Sequence, residues 1–183
     1  MSKKQETLIA FPEVAVATRR DKTGEQERWT VKGGLAQRGE AWTNFAEHTI
    51  QVPLVNDETA NVVRGHELVH SHISPMEPEA LEAWAENEGI SPEVIMSAEE
   101  FRVNQVLKSI GYNTDYLIDG SEKQSGIRLG KDKTDHARDL AVTMGASIVG
   151  TKGFRHFLSG IRSQNPELAL ELREMEKAML KIT

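Results

Sequence analysis

The sequence predicts an α+β fold: a small N-terminal β-sheet followed by a remainder that is mostly helical. Three observations predict it. Residues 1–55 carry short strand-like runs broken by glycine and charge, the pattern of strands joined by turns. From residue 56 onward apolar residues recur at helical spacing behind cap-forming Ser, Asn, Asp and Pro, which marks five or six helices. The length of 183 residues and a hydrophobic content of 38% suit one compact core, so a single domain is expected over 1–183.

Composition narrows the function classes. A net charge of −6 and a pI near 5.6 argue against nucleic acid as a partner, because phosphate contacts need a basic face. There is no cysteine, which removes disulfides, thiolate nucleophiles and cysteine-based metal sites. Any metal must be held by His, Asp or Glu. The apolar run at 8–11 is too brief for a signal peptide, and no stretch approaches membrane-spanning length. The expectation is a cytoplasmic protein, or a virion-associated one if phage-encoded, with no membrane partner.

Taken in order, residues 14–18 and 28–31 are the first strand candidates, with Gly33 and Gly34 as a bend after them. Residues 47–54 alternate polar and apolar and contain Pro53, which suits an edge strand. Such an edge can pair with an extended peptide. His48 falls on the polar side of the alternation and is expected at the surface.

The next helix carries the motif on which the rest depends. Asn56 and Asp57 are cap residues and Glu58 favours the first turn. Val62, Val63, Val69 and Ile73 supply apolar positions, and Ser74-Pro75 stops the helix. Within it stands His66-Glu67-Leu68-Val69-His70, a His-Glu-x-x-His pattern. Residues four apart share a helix face, so both imidazoles can aim at one metal ion. Glu67 lies roughly 100° round from His66, beside the ion without ligating it, where a carboxylate can take a proton from activated water. The spacing suits a zinc hydrolase. His72, roughly 200° from His70, should face away.

Residues 78–88 predict a short helix with Ala80, Leu81 and Trp84, ended by Gly89. From 77 to 100 the chain has eight glutamates and neither Lys nor Arg, which reads chiefly as a solvated face. Ser91 and Pro92 open a longer helix over 92–110, with Gly111 after it. Its apolar face is read as Ile95, Met96, Val103, Val106, Leu107 and Ile110. Glu99 falls near the centre of that face and Glu100 at its margin. A carboxylate inside an apolar stripe is costly unless paired or metal-bound, so Glu99 is the expected third metal ligand. The alternative is an ion pair with Arg102.

This combination resembles the zincin metallopeptidases, in particular the gluzincin type: a strand, a His-Glu-x-x-His helix and a second helix that supplies a glutamate. Residues 99–104, Glu-Glu-Phe-Arg-Val-Asn, resemble the carboxylate helix of small bacterial and phage members of that group. The likeness covers roughly residues 45–110. It implies a zincin-like fold, Zn2+ as cofactor, His66 and His70 as ligands and Glu67 as catalytic base. Some relatives would align Glu100 with the ligand position. The longer metzincin pattern is absent, since Ile73 and Met76 stand where its glycine and third histidine belong. An aspartate-ligand variant would use Asp115, within Thr114-Asp115-Tyr116.

Residues 112–133 are polar and glycine-containing and predict a long loop or weak hairpin bordering the site. Three helices should follow. The first, 134–149, turns Leu140, Ala141, Met144 and Ile148 inward; the second carries Phe154, Phe157, Leu158 and Ile161. The third starts at Asn165-Pro166 with a stripe of Leu168, Leu172, Met175, Met179 and Ile182. His136 lies in the first turn of its helix, beside the apolar face. There the helix N-terminus favours neutral imidazole, a candidate to steady an oxyanion, as are Tyr112 and Tyr116.

The expected activity is zinc-dependent hydrolysis of peptide bonds in a peptide or protein substrate. Its rival is a non-catalytic structural or assembly protein, phage-borne, that keeps a zinc-stabilised zincin fold.

Overall fold

The computed structural model describes residues 13–34, 41–75, 77–118 and 120–182. The apolar run at 8–11, Met76 and Asp119 lie outside them, as does the side chain of Ile182. The described residues form a four-stranded sheet and seven α-helices, an α+β architecture. They divide into two compact units, Met1–Glu79 with Val106–Leu117 and Ala80–Gln105 with Ile118–Thr183.

The first unit holds the sheet: β1 (Val14–Arg20), β2 (Gln26–Gly33), β3 (Trp42–Asn44) and β4 (Thr49–Val52), in the order β1-β2-β4-β3. β1 and β2 form an antiparallel hairpin, β4 runs parallel to β2, and β3 is antiparallel to β4. Asp21 closes the hairpin, its Oδ1 accepting from Thr23 N, Thr23 Oγ1 and Glu25 N. The Thr23 hydroxyl above all holds the Asp21 carboxyl below its usual range. Trp29 and Val31 of β2 and Ile50 and Val52 of β4 are buried together, with Leu68 packed against them.

Two expectations about this region are corrected. The segment at 47–54 is not an edge strand: β4 is flanked by β2 and β3, and Pro53 follows its last residue, where no ladder bond needs its missing N–H. His48 is half-buried, because residues 45–48 form a turn rather than the start of a strand. It sits in the left-handed region at φ 50 and stacks on Trp29 with ring centroids 5.0 Å apart.

Helix α1 (Glu58–Ile73) follows. Asp57 caps it, accepting from Ala60 N at 2.8 Å, as the sequence predicts. Arg64 ties the helix to the end of β4 by donating to the carbonyls of Pro53 and Val55 at 2.8 and 3.0 Å. Partial burial there pulls its guanidinium below its usual pKa, against the opposing charge of Asp57. Leu68, one of the two free positions in the motif, is what docks α1 on the sheet core.

Helices α2 (Pro78–Asn87) and α3 (Pro92–Ser109) match the predicted spans to within a residue. The expected loop at 112–133 is corrected: it contains a 3-10 turn at Thr114–Leu117 and helix α4 (Glu122–Lys131). The glycines inside α4 do not mark turns. A Cβ on Gly126 would lie 2.3 Å from the Phe157 carbonyl, and one on Gly160 would lie 2.2 Å from the Lys123 carbonyl. They are the places where the backbones of α4 and α6 (Lys152–Gln164) touch.

In the second unit α5 (Asp135–Ser147), α6 and α7 (Pro166–Ile182) close a core around Phe154, Phe157, Ile161 and Leu172. Thr134, Thr151 and Asn165 cap the three helices. Leu140 is not inward as expected but 38% exposed. The buried face of α5 consists of Ala137, Ala141, Gly145 and Ala146, small residues that admit close packing.

Candidate metal centre

The site is built on α1. One turn apart, His66 and His70 bring their Nε2 atoms to 3.1 Å, with the rings edge to face. Two nitrogens held by one tetrahedral zinc ion at bonds of about 2.05 Å would lie roughly 3.3 Å apart. The pair is therefore spaced as two ligands of one ion need to be. His70 is buried and His66 half-buried. The other ring nitrogen of His70, Nδ1, lies 2.8 Å from Ser74 Oγ.

Glu67 is held from the sheet. Thr43 of β3 donates its hydroxyl to Glu67 Oε2 at 2.7 Å. This orients the carboxylate while leaving its second oxygen to other partners. Gly65, just before the motif, is closely packed: a Cβ there would stand 3.0 Å from both Leu107 Cδ1 and Tyr112 Cζ. The last turn of α3 and the segment after it thus press directly on α1. His72 is exposed and donates Nδ1–H to the Leu68 carbonyl at 2.8 Å, turned away from the pair.

The two glutamates of α3 differ. Glu99 accepts from Arg102 Nε at 2.8 Å and Nη2 at 2.7 Å, a two-pronged ion pair within the helix. Nor is it at the centre of the buried face. Among the described side chains of α3, the buried ones are Ser97, Phe101, Val103, Asn104 and Leu107. At 100° per residue, Glu100 lies roughly 30° from the centre of that face and Glu99 roughly 130° from it. The expected central position of Glu99 is corrected on this ground. Met96 and Ile110, inward by hydrophobic pattern, are 62% and 60% exposed, whereas the polar Ser97 and Asn104 are inward. Asn104 donates to the Ser147 carbonyl at 3.2 Å. Glu100 also shares a face with Leu107, two turns on and roughly 20° round the helix. Leu107 is the residue that meets Gly65.

Comparison of the chain with protein families, curated proteins and solved structures gave no match. The functional reading therefore rests on the residues themselves.

The remaining candidates fall elsewhere. Asp115 is half-buried in the 3-10 turn. The Tyr116 hydroxyl hydrogen-bonds the Glu58 carboxylate, which raises its pKa above the usual value. His136 belongs to the second unit, where it lines a cleft of about 600 Å³ with Ser91, Val94, Leu140 and Glu171. Sequence reasoning missed Thr43 and Ser74. Ser74 had a signal, since it stands four residues after His70 and so on the same helix face. Thr43 had none, because β3 is only three residues long.

Proposed function

We propose that the chain is a zinc-dependent peptidase in which His66, His70 and Glu100 hold the ion and Glu67 is the catalytic base. The observation that carries the reading is the His66–His70 pair, with Nε2 atoms 3.1 Å apart on the helix whose intervening glutamate is fixed by Thr43. Glu100 is chosen over Glu99 because it lies near the centre of the buried face of α3, while Glu99 is engaged by Arg102. Two imidazoles and a carboxylate make a donor set suited to zinc.

A bound zinc ion would supply the Lewis acid that makes water nucleophilic near neutral pH and polarises the scissile carbonyl. Glu67 takes the proton of the attacking water and delivers it to the leaving amine, for which a carboxylate beside the ligands but outside the ligand set is required. The substrate is an extended peptide segment. In this reading it pairs with β3, which carries Thr43 and is the outer strand on that side among the described residues.

The test is metal content and cleavage of a mixed peptide library by purified protein. About one zinc per chain and cleavage abolished by His70→Ala and by Glu67→Gln are the expected results. Zinc retention in both His66→Ala and His70→Ala removes the reading.

A further inference from the structure

Beyond the ligands, a chain of three residues, Glu27, Arg19 and Ser74, runs from the sheet to His70. Ser74 is the C-terminal cap of α1, with extended backbone and its N–H donating to the His70 carbonyl at 2.9 Å. Its hydroxyl meets His70 Nδ1 at 2.8 Å, and its carbonyl accepts from Arg19 Nη1. Arg19 in turn donates through Nε to Glu27 Oε2 at 3.2 Å. Ser74 is 2% exposed, and the Arg19 and Glu27 side chains are 22% and 10% exposed.

The strand register explains how Arg19 reaches the helix end. Ala17 pairs with Arg28 and Arg20 with Gln26, so Thr18 and Arg19 together stand opposite the single residue Glu27. That is a β-bulge, a device that re-aims a side chain out of the regular pleat. A simple surface ion pair across the hairpin would need no bulge and no burial.

We propose that Ser74, seated by the Arg19–Glu27 pair, is the positioning residue that fixes the ring orientation and tautomer of His70. The inference rests on the zinc reading. To ligate through Nε2, neutral His70 must carry its proton on Nδ1. Ser74 Oγ stands where it can accept that proton, turning the Nε2 lone pair towards His66. Arg19 touches neither histidine; it acts by holding the Ser74 backbone after the helix has ended. Partners of this kind, one bond behind a ligand, commonly change metal affinity by 10- to 100-fold when removed.

The experiment uses the full chain and zinc alone, titrated against a chromophoric chelator, together with ring-nitrogen NMR of metal-free protein at a pH where His70 is neutral. Wild-type His70 is expected to hold its proton on Nδ1. Ser74→Ala should bind zinc about 10- to 100-fold more weakly and show His70 as a tautomer mixture. Arg19→Gln should weaken zinc binding in wild type and add nothing further in the Ser74→Ala background, since both act through one hydroxyl. If Ser74→Ala fails to fold, Arg19→Gln carries the same readouts. Wild type that binds no zinc, or His70→Ala that binds as wild type does, overturns the zinc reading. Wild-type binding with His70→Ala inactive, but with Ser74→Ala and Arg19→Gln within twofold of wild type or with the tautomer unmoved, overturns the positioning role alone.

Discussion

Thr43 and Glu67 meet across 2.7 Å, hydroxyl to carboxylate, so that a three-residue strand fixes the acid of the His-Glu-x-x-His turn. Glu67 is half-buried on a helix that its neighbour Leu68, roughly 100° round, packs against the sheet core. Its rotamer is therefore set from two directions, by the helix and by the strand. A base must sit within hydrogen-bond reach of the proton it removes, and in the role we propose for Glu67 this contact would supply that constraint.

Thr43→Val, nearly isosteric, should leave zinc content unchanged and lower kcat by about ten- to a hundredfold, the cost of one hydrogen bond to a charged group of about 1.5–3 kcal/mol. Glu67→Gln should keep the metal and lose turnover altogether. Steady-state kinetics beside metal analysis separates the two. A Thr43→Val protein with wild-type kcat would mean that Glu67 is oriented by other contacts.

Gly160 and Gly126 are predicted to be indispensable to the helical unit. A Cβ at Gly160 would lie 2.2 Å from the Lys123 carbonyl, a backbone atom that cannot swing aside, so α4 and α6 must separate. Gly160→Ala should cost at least about 1–3 kcal/mol by overpacking, against less than about 0.5 kcal/mol for the exposed neighbour Ser159→Ala. Denaturant midpoints for the two variants decide it. Equal midpoints would show that α4 and α6 do not pack as closely as described.

What the sequence disclosed follows physical lines. Helix α1 was legible because its caps, its apolar spacing and its motif all speak locally, and Asp57 does cap it as expected. The sheet was half legible. β1 and β2 carry their own alternation, but β3 is too short to show one, and β4 reads as an edge because the alternation runs on through Pro53, which in the fold follows the last residue of the strand. Helix α4 was hidden by its glycines, which serve helix contact there and not turns. On α3, hydrophobicity misplaced the inward face: Met96 and Ile110 are exposed while Ser97 and Asn104 are buried. That rotation is why hydrophobic patterning points to Glu99 and the fold to Glu100.

The β1–β2 hairpin, which carries Arg19 and Glu27, should show an acid dependence through Asp21. Its folded pKa lies below the ordinary 3.8, chiefly through the Thr23 hydroxyl. A depressed carboxyl stabilises the fold above its unfolded pKa and loses that contribution as pH falls through the folded value. Asp21→Asn should therefore melt below wild type at neutral pH. The gap should narrow beneath about pH 4 and close once the pH is under the folded value. Thermal melts across this range test it, and a gap independent of pH would show that the charge of Asp21 is not what matters.

The last prediction concerns the acid that completes the centre. Glu100 lies near the middle of the buried face of α3 and on the side of Leu107, which presses on Gly65 beside the histidine pair. Glu99 lies roughly 130° from that middle and is held by Arg102. Removing a true ligand costs several kcal/mol of metal binding, so Glu100→Ala should weaken zinc affinity by about a hundredfold or more. Glu100→Gln should weaken it too, since a neutral amide is a poorer zinc ligand than a carboxylate. Glu99→Ala should stay within about threefold of wild type. It should cost less than about 1 kcal/mol of stability through its partly exposed ion pair. Asp115→Ala should bind as wild type does. Chelator competition on the four variants reads all of this at once. If Glu99→Ala is the damaging change and Glu100→Ala is silent, α3 presents its other face to the metal. If only Asp115→Ala releases zinc, the third ligand comes from the 3-10 turn, and a glutamate on α3 has no part in the centre.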